Sequence, residues 1–370
     1  MSRGKIRIVV LLLAFLLGTA CSERQDDAGT LSLGLTDAAS SDYQAVYVTI
    51  KEVQVHMGED GGGPWEVVAS PNKTYNLLEL VNGMIEHLGV SDLKAGTYTQ
   101  MRLIVGDEAE EETNILGENH PYANYLIDSA DRYLQLKVPS GVQSGIKLVR
   151  SFEIMEGLTT ELVLDFDVDK SVVKAGNSGN WLLKPTIKVI DALENATVSG
   201  AVVGNSAELL AGVKISAQVY DPDTGQVDVD TSTLSDEAGE YLMHLAPGAY
   251  TIVAYLDGYS PVCTELAVAD GGDYQASFAL TPTVMNDITC NVILSQSLQG
   301  RIATIRFIRT SPCRETKLVE LKALNVSESG AYSVSLPAGT YRVIAADGTT
   351  TLPVQNIAAG GSVTLDFTAN

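Results

Sequence analysis

One stretch of this chain occurs twice, and the spacing of the two copies constrains the fold more than any other feature. Five residues recur at a constant offset of 330 − 239 = 91 positions: Gly239, Tyr241, Leu245, Gly248 and Tyr250 return as Gly330, Tyr332, Leu336, Gly339 and Tyr341. Each copy reads as a polar turn, an alternating strand, a turn of small residues and a second strand that begins with tyrosine. The repeat therefore predicts two copies of a small β-sandwich, and it indicates architecture rather than chemistry.

The N-terminus has the order of charged and apolar residues that is typical of a secretory signal. The apolar run over 8–17 is too short to span a membrane as a stable helix. It is preceded by three cations, Arg3, Lys5 and Arg7. Small residues then lead to Cys21, and this segment resembles the bacterial lipobox, although Gly18 stands where a branched aliphatic residue is commoner.

This resemblance implies a signal peptide over 1–20, a lipid on Cys21 and a polar tether over 21–29, with simple secretion as the alternative. Ser22 after the lipidated residue resembles the pattern that directs lipoproteins to the outer membrane of diderm bacteria. We therefore expect a bacterial outer-membrane lipoprotein, either periplasm-facing or surface-exposed. The polypeptide would contact the membrane through its N-terminal lipid.

The chain is strongly acidic, which limits the partners it can bind. It contains 24 Lys and Arg against 46 Asp and Glu, a formal net charge of −22. Removal of the signal takes away three cations, which leaves 24 − 3 = 21 against 46, or a net charge of −25. Such a field repels nucleic acids, so we expect no nucleic-acid partner. An envelope protein or a glycan remains as the expected partner.

Hydrophobic periodicity divides the chain after its tether into three β-rich units, over 30–192, 196–281 and 284–370. Apolar residues alternate over 162–168, as in a half-buried strand, and a slip of the apolar phase near Glu52 predicts a β-bulge. The predicted fold class is all-β, with tandem antiparallel β-sandwiches of immunoglobulin-like or transthyretin-like form. Minor helix is expected in the first unit only.

Three segments of the second unit follow a pattern of glycines, aromatic residues and turn residues: Val198-Ser199-Gly200-Ala201-Val202, Asp236-Glu237-Ala238-Gly239-Glu240-Tyr241 and Leu245-Ala246-Pro247-Gly248-Ala249-Tyr250. On these residues the unit resembles the carboxypeptidase regulatory-like domain, which implies a seven-stranded transthyretin-like sandwich. The third unit is similar to a divergent copy, because Asn291 replaces the residue equivalent to Gly200.

The first unit carries a different set of segments: Gly29-Thr30-Leu31-Ser32-Leu33, Ala45-Val46-Tyr47-Val48-Thr49-Ile50 and Ala95-Gly96-Thr97-Tyr98-Thr99-Gln100-Met101-Arg102-Leu103. On these it resembles a bacterial lipoprotein domain family whose function is unknown. That resemblance implies no catalytic residues. The Gly96-Thr97-Tyr98 element is also similar to the start of the second strand in each repeat.

The cysteine count leaves an odd number of thiols for an oxidising compartment. If Cys21 carries the lipid, then Cys263, Cys290 and Cys313 remain. Cys290 and Cys313 lie near the ends of a predicted hairpin over 288–310, so we expect them to form the disulfide. The alternative is three buried free thiols.

Three aspartates predict a metal site. Asp165, Asp167 and Asp169 alternate along one predicted strand, so their carboxylates would leave the same face. Calcium prefers such oxygen ligands, and Asp37 and Asp42 could complete the coordination if their loop folds over the strand. The alternative is an ordinary solvated strand face, with no cofactor.

Function is the least constrained property of this sequence. Trp65 and Trp181 are the only tryptophans and could form a sugar platform, although both start strands where burial is equally natural. The four histidines lack metal-ligand spacing, and no nucleophile motif occurs in a suitable context, so we expect no enzyme and no catalytic residue. The expected function is a lipid-anchored, extracytoplasmic protein for adhesion, envelope scaffolding or partner docking. The alternatives are a glycan-binding accessory lipoprotein and a hydrolase-associated subunit.

Overall fold

A computed structural model describes the chain over 28–38, 40, 42–58, 64–139, 145–148, 150–175, 180–191, 196–294, 302–347 and 349–368. The expected signal peptide, Cys21 and most of the tether lie outside these residues, whereas Ala28 and Gly29 belong to the first strand. Within the described ranges, no helix reaches the length and hydrophobicity of a membrane-spanning segment. The fold is all-β, in agreement with the prediction.

The first unit folds into two sheets that enclose one apolar core. Its strands are β1 (Ala28–Ala38), β2 (Ala45–Met57), β3 (Glu66–Ala69), β4 (Lys73–Asn76), β5 (Glu86–Lys94), β6 (Gly96–Val105), β7 (Asn124–Ile127), β8 (Tyr133–Lys137), β9 (Ile146–Leu148), β10 (Phe152–Ile154), β11 (Thr159–Asp167), β12 (Val172–Ala175), β13 (Asn180–Leu183) and β14 (Ile187–Asp191). A 3₁₀ turn covers Leu77–Glu79, and helix α1 covers Val168–Ser171.

One sheet of the first unit has the order β14-β11-β1-β5, and its two central strands are parallel. The register of that pair runs from Thr30↔Thr159 to Ala38↔Asp167. Both central strands therefore start at one end of the unit and finish at the other. The other sheet is built on β2, which changes register against β6 between Ile50 and Glu52, so the predicted bulge is confirmed.

The second unit is a sandwich of two four-stranded sheets around its own core. Its strands are β15 (Ala196–Gly204), β16 (Lys214–Asp221), β17 (Gln226–Leu234), β18 (Glu240–Leu245), β19 (Gly248–Tyr255), β20 (Val262–Val268), β21 (Asp273–Gln275) and β22 (Phe278–Leu280). One sheet has β15 at its centre, and the other has the order β17-β16-β19-β20.

The third unit repeats this plan. Its strands are β23 (Met285–Ile293), β24 (Ala303–Thr310), β25 (Leu318–Val326), β26 (Gly330–Pro337), β27 (Thr340–Ala346), β28 (Gln355–Ala358) and β29 (Ser362–Asp366). The order β26-β23-β29 matches the sheet around β15, and β25-β24-β27-β28 matches the other sheet. The structure thus confirms tandem sandwiches.

The tyrosines of the repeat have a structural role that explains their recurrence. In four places a tyrosine hydroxyl near the start of a strand donates a hydrogen bond to the carbonyl four residues earlier: Tyr98 to Lys94 (3.2 Å), Tyr250 to Ala246 (3.0 Å), Tyr332 to Glu328 (2.9 Å) and Tyr341 to Pro337 (2.8 Å). Each ring packs into a core while its hydroxyl bridges the preceding turn. The similarity of Gly96-Thr97-Tyr98 to the repeat is therefore visible in the structure.

Candidate functional site

The polar chemistry of the chain is concentrated where the three units meet, at a surface that we call the junction. It comprises the end of β11, helix α1 and the residues of the other units that contact them. On the first unit, the Asp165 side chain is buried, and the Thr231 hydroxyl of the second unit donates a hydrogen bond to its Oδ2 over 3.1 Å. Burial and the nearby Asp167 carboxylate raise the pKa of Asp165 to about 7, although the Thr231 hydrogen bond and Lys188 oppose that rise. Lys188 also pairs with Asp230 of the second unit at 2.7 Å.

Helix α1 is fixed by its own first residues and then contacts the second unit. The Asp167 side chain caps the helix by accepting a hydrogen bond from the Lys170 backbone N–H at 2.9 Å. The Lys170 ammonium pairs with Asp167 and donates a hydrogen bond to the Val229 carbonyl at 3.1 Å. The next acidic residue, Asp169, forms an ion pair with Lys214 of the second unit. Burial opposes the charge on Lys214, but the Asp169 carboxylate outweighs it and raises the pKa of that lysine.

The same helix also contacts the third unit. The Asn325 amide donates hydrogen bonds to the carbonyls of Asp169 and Lys170, over 3.0 and 3.3 Å. Directly after the helix, strand β12 runs parallel to β25 of the third unit, and Lys174 pairs there with Val326. This pairing joins the sheets of the first and third units. A single turn of helix therefore touches all three units.

The second and third units share a deeper contact. The Gln218 side chain donates to the Glu320 carbonyl and accepts from the Glu320 backbone N–H, both at 2.8 Å. The Glu320 carboxylate forms an ion pair with Arg306. Burial raises the pKa of Glu320, although Arg306 opposes that rise. Val253 and Tyr255 of the second unit pack into the core of the third.

A disulfide between Cys263 and Cys313 fastens these two units, with 5.6 Å between the Cα atoms. The prediction of a Cys290–Cys313 bond is wrong. Cys290 is a free thiol, buried in the core on β23, because β23 and β24 belong to opposite sheets rather than to one hairpin. Cys313 follows β24 and instead faces Cys263 on β20 of the neighbouring unit.

The three predicted calcium ligands do not share one strand face, so that prediction is wrong in its geometry. The strand ends at Asp167, and Asp169 lies in α1, where it pairs with Lys214. Asp165 is engaged by Thr231, as described above. In the described part of the chain, no three carboxylate, imidazole or thiolate side chains are arranged to hold a metal ion.

Among the described residues, Asp37 and Asp42 do not join Asp165, Asp167 and Asp169 in one metal site. Asp37 pairs in register with Phe166, whereas Thr36 pairs with Asp165, so Asp37 and Asp165 leave opposite faces of the sheet. The Oδ1 atom of Asp37 accepts a hydrogen bond from the Val168 backbone N–H at 3.2 Å. Burial and the nearby Asp165 raise the pKa of Asp37 well above its ordinary value. Asp42 is exposed and lies at the edge of a cleft on the other side of α1.

That cleft, which we call the junction cleft, has a volume of about 280 Å³ and is lined by all three units. The half-buried Trp181 forms part of its wall, with the Tyr43 ring edge-on at 5.9 Å and the Lys174 ammonium 5.8 Å from the indole centre. The junction cleft thus brings together Asp42 and Asp169, which the sequence analysis proposed as calcium ligands, and Trp181, which it proposed as a glycan contact.

Trp65 lies elsewhere, on the first unit near β3. The Arg102 guanidinium covers its ring at 4.2 Å, and the His56 ring lies 5.5 Å from it. Both tryptophans therefore have a cation over the ring, and the two do not form one platform. Glycan binding by either residue stays a prediction.

Comparison with family models assigns the first two units. Residues 28–185 match the family described as a domain of unknown function, DUF4382, and residues 197–281 match the carboxypeptidase regulatory-like domain. These matches confirm that the first unit resembles a family of unknown function and that the second resembles the carboxypeptidase regulatory-like domain. A comparison with curated proteins finds no match.

Several solved structures resemble the chain at low identity. The Bacillus anthracis TIE protein has 12% identity and a TM-score of 0.20 over 92% of this chain and 50% of that protein, so this chain spans half its length. A streptococcal ancillary pilin has 13% identity and a TM-score of 0.21, over 92% of this chain and 98% of the pilin. The shaft pilin of Lactobacillus rhamnosus GG has 11% identity and a TM-score of 0.20, over 46% of this chain and 97% of that pilin. Likeness at these TM-scores carries no argument about function.

Proposed function

We propose that this chain, which joins a DUF4382 domain to a carboxypeptidase regulatory-like domain and a third sandwich, is a lipid-anchored extracytoplasmic scaffold that docks a partner. In this proposal it performs no catalysis. The outer membrane of a diderm bacterium is its location, and the lipid is attached at Cys21.

The observation that carries the proposal is the junction. Asp165, Asp169, Lys188 and Lys214 could in principle serve catalysis or binding, but each of them forms a contact between the first and second units. Their charged groups stabilise the contact between these units through ion pairs and hydrogen bonds. A chain whose charged groups close its internal interfaces is suited to fixed presentation of surfaces rather than to turnover.

The disulfide supports the proposed extracytoplasmic location. A bond between Cys263 and Cys313 persists where the surroundings are oxidising, as in the bacterial periplasm or at the cell surface. The bond also prevents the second and third units from moving apart, because it joins a strand of one unit to a turn of the other.

The direction of β1 supports a spacer role for the first unit. This strand of 11 residues starts at Ala28, seven positions after the proposed lipid on Cys21, and finishes at the junction. At about 3.3 Å per residue, it spans roughly 33 Å. The first unit would therefore hold the tandem of the second and third units at a fixed distance from the membrane.

Lipid labelling and crosslinking in intact cells test this proposal. The wild-type chain should incorporate radiolabelled palmitate and sediment with membranes, whereas Cys21→Ser should do neither. Crosslinking followed by purification from the same cells should recover an envelope protein with the anchored chain. Failure of the wild-type chain to incorporate lipid would contradict the anchor, and hydrolase activity of the purified chain would contradict the scaffold.

A second candidate function is glycan binding at the junction cleft. The observation that favours it is the position of Trp181 and Tyr255 in the wall of a cleft of about 280 Å³. Binding on a glycan array that is lost in Trp181→Ala and retained in Trp65→Ala would support this function. Trp65 is the matched control because it has a similar cation over its ring but lies outside the cleft.

A further inference from the structure

A short apolar turn projects from the end of the first unit that lies opposite the junction. It joins β10 to β11 over 155–158, and its two large hydrophobic residues, Met155 and Leu158, are 50% and 53% exposed. Gly157 allows the tight reversal, with a φ of 68° that disfavours other residues. Only one residue of the turn, Glu156, carries a charge.

This turn lies directly against the point where the described chain begins. The Gly157 backbone N–H donates a hydrogen bond to the Ala28 carbonyl at 2.9 Å, and the Thr30 N–H donates to the Leu158 carbonyl at 2.9 Å. The turn and the start of β1 are therefore fixed to each other. Because β1 and β11 are parallel, this end of the unit is also the end farthest from the junction.

The length of chain before β1 limits how far the turn can lie from a lipid on Cys21. Seven residue steps separate Cys21 from Ala28. Even when fully extended, seven residues span at most about 25 Å. A membrane that holds the lipid at Cys21 is thus within reach of the turn. The turn lies beside the start of β1, to which the tether from Cys21 leads.

We propose that the turn over 155–158 is a second membrane contact, which places the Met155 and Leu158 side chains in the lipid surface and orients the first unit upright. This inference rests on the proposed lipid anchor. The lipid surface is zwitterionic, because a chain with a net charge of −25 after removal of the signal is repelled by anionic headgroups. Two apolar side chains beside a tether suit an interface that the lipid already holds close.

An exposed apolar residue at the other end of the same unit provides the matched control. Ile115 is 44% exposed, and its backbone N–H donates to the Tyr47 hydroxyl at 2.8 Å. Tyr47 lies near the start of β2, whereas the last residue of β2, Met57, lies beside the β6 end that pairs with Ile154. A probe at Ile115 therefore reports on the end of the unit away from the turn.

The test places an environment-sensitive fluorophore at either position of the full, lipidated chain. Met155→Cys and Ile115→Cys are labelled under native conditions, where the remaining thiol of Cys290 is buried. Each protein is inserted into phosphatidylcholine vesicles with and without nitroxide-labelled acyl chains. The expected result is a blue shift and quenching at position 155, with neither at position 115.

The possible outcomes distinguish failure of the membrane contact from failure of the lipid anchor. Equal emission and quenching at the two positions, with the protein bound to vesicles, would overturn the membrane contact while leaving the anchor intact. A protein that stays in solution would overturn both proposals. A second variant, Met155→Ser with Leu158→Ser, makes the exposed turn polar and should remain lipidated while losing protection of the turn from proteolysis in vesicles. Equal protection of this variant and of the wild-type turn would also overturn the membrane contact.

Discussion

Two of the contacts between the units are built by different means. The second and third units are joined by a covalent bond, Cys263–Cys313, and by apolar residues such as Tyr255 that enter the neighbouring core. The first and second units are joined by hydrogen bonds and ion pairs, among them Asp165 with Thr231 and the pair between Lys188 and Asp230. Ion pairs also join the second and third units, namely Lys317 with Glu265 and Lys322 with Asp257, but the disulfide and the apolar contacts there do not depend on pH or salt. A contact made by partly buried charges responds to both.

The comparison implies that the two interfaces respond differently to solution conditions. The tandem of the second and third units should behave as one body under all conditions in which the disulfide persists. The connection of the first unit to that tandem should be adjustable by pH and ionic strength. The proposed lipid anchor and the tandem would then lie on opposite sides of the more responsive interface.

Loss of the disulfide should have the largest effect. The bond closes a loop with a sequence separation of 50, which corresponds to about 4 kcal/mol in the chain-entropy account. Cys263→Ser should lower the free energy of unfolding of the tandem by about that amount, as measured by urea denaturation. Cys290→Ala is the control, because it removes a thiol from the same region without touching the bond. Equal midpoints for oxidised and reduced wild-type protein would contradict the covalent interface.

The buried Asp165 should make the interface of the first and second units sensitive to pH. Its pKa is raised from 3.8 to about 7, so the folded state prefers the protonated carboxyl, and stability is lost as pH rises towards 7. Asp165→Asn cannot ionise and keeps an acceptor for Thr231. The variant should therefore match wild type near pH 4 and exceed its stability at pH 8, by at most about 4 kcal/mol.

Thermal unfolding at several pH values measures this effect. Asp223→Asn, in an exposed turn of the second unit, is the control for the loss of a carboxylate. A stability difference between Asp165→Asn and wild type that stays constant from pH 4 to pH 8 would contradict the assigned ionisation.

The sequence was sufficient to predict the sandwiches, because the fold repeats its local rules. Each tyrosine hydroxyl that bridges a turn donates to the backbone carbonyl four residues earlier, as at Tyr250 and Tyr341. The motif is therefore local and recurs in the sequence. The β-bulge at Glu52 was also predictable, since one extra residue shifts the alternation of a strand.

The contacts between the units were not predictable because they join residues that are far apart in sequence. The disulfide prediction treated β23 and β24 as one hairpin, although sequence spacing does not reveal that they belong to opposite sheets. The aspartates at 165, 167 and 169 were assigned to one strand, but Asp167 caps a helix that ends the strand. One sequence signal could have revealed the contact between the second and third units: Glu320 stands between the apolar residues Val319 and Leu321, where a buried and unpaired carboxylate would be costly.

A smaller effect is expected from Asn82, which links the first unit to β18 of the second. It has a φ of 60°, its backbone N–H donates to the Thr233 hydroxyl at 2.7 Å, and its side-chain oxygen accepts from the Leu242 N–H. Asn82→Ala should cost about 2 kcal/mol, roughly half from backbone strain and half from the orphaned N–H. Asn72→Ala is the control, because Asn72 is at another left-handed position and its side chain donates to the Ser70 carbonyl of its own unit, so this variant should cost mainly the strain. Equal losses in urea denaturation would show that the Asn82 contact does not stabilise the interface.

The smallest effect is expected from the ion pair between Lys188 and Asp230. Both side chains are partly exposed, at 42% and 34%, so the coupling energy from a double-mutant cycle with Lys188→Ala and Asp230→Ala should be under about 1 kcal/mol. It should fall further at high salt, because the Debye length shrinks to about 3 Å at 1 M. The pair between Lys73 and Glu86, at 41% and 40% exposure within the first unit, is the matched cycle. A coupling for Lys188 and Asp230 that exceeds the Lys73 and Glu86 value and resists salt would mean that the first unit is held as firmly as the third, and the distinction between the two interfaces would fail.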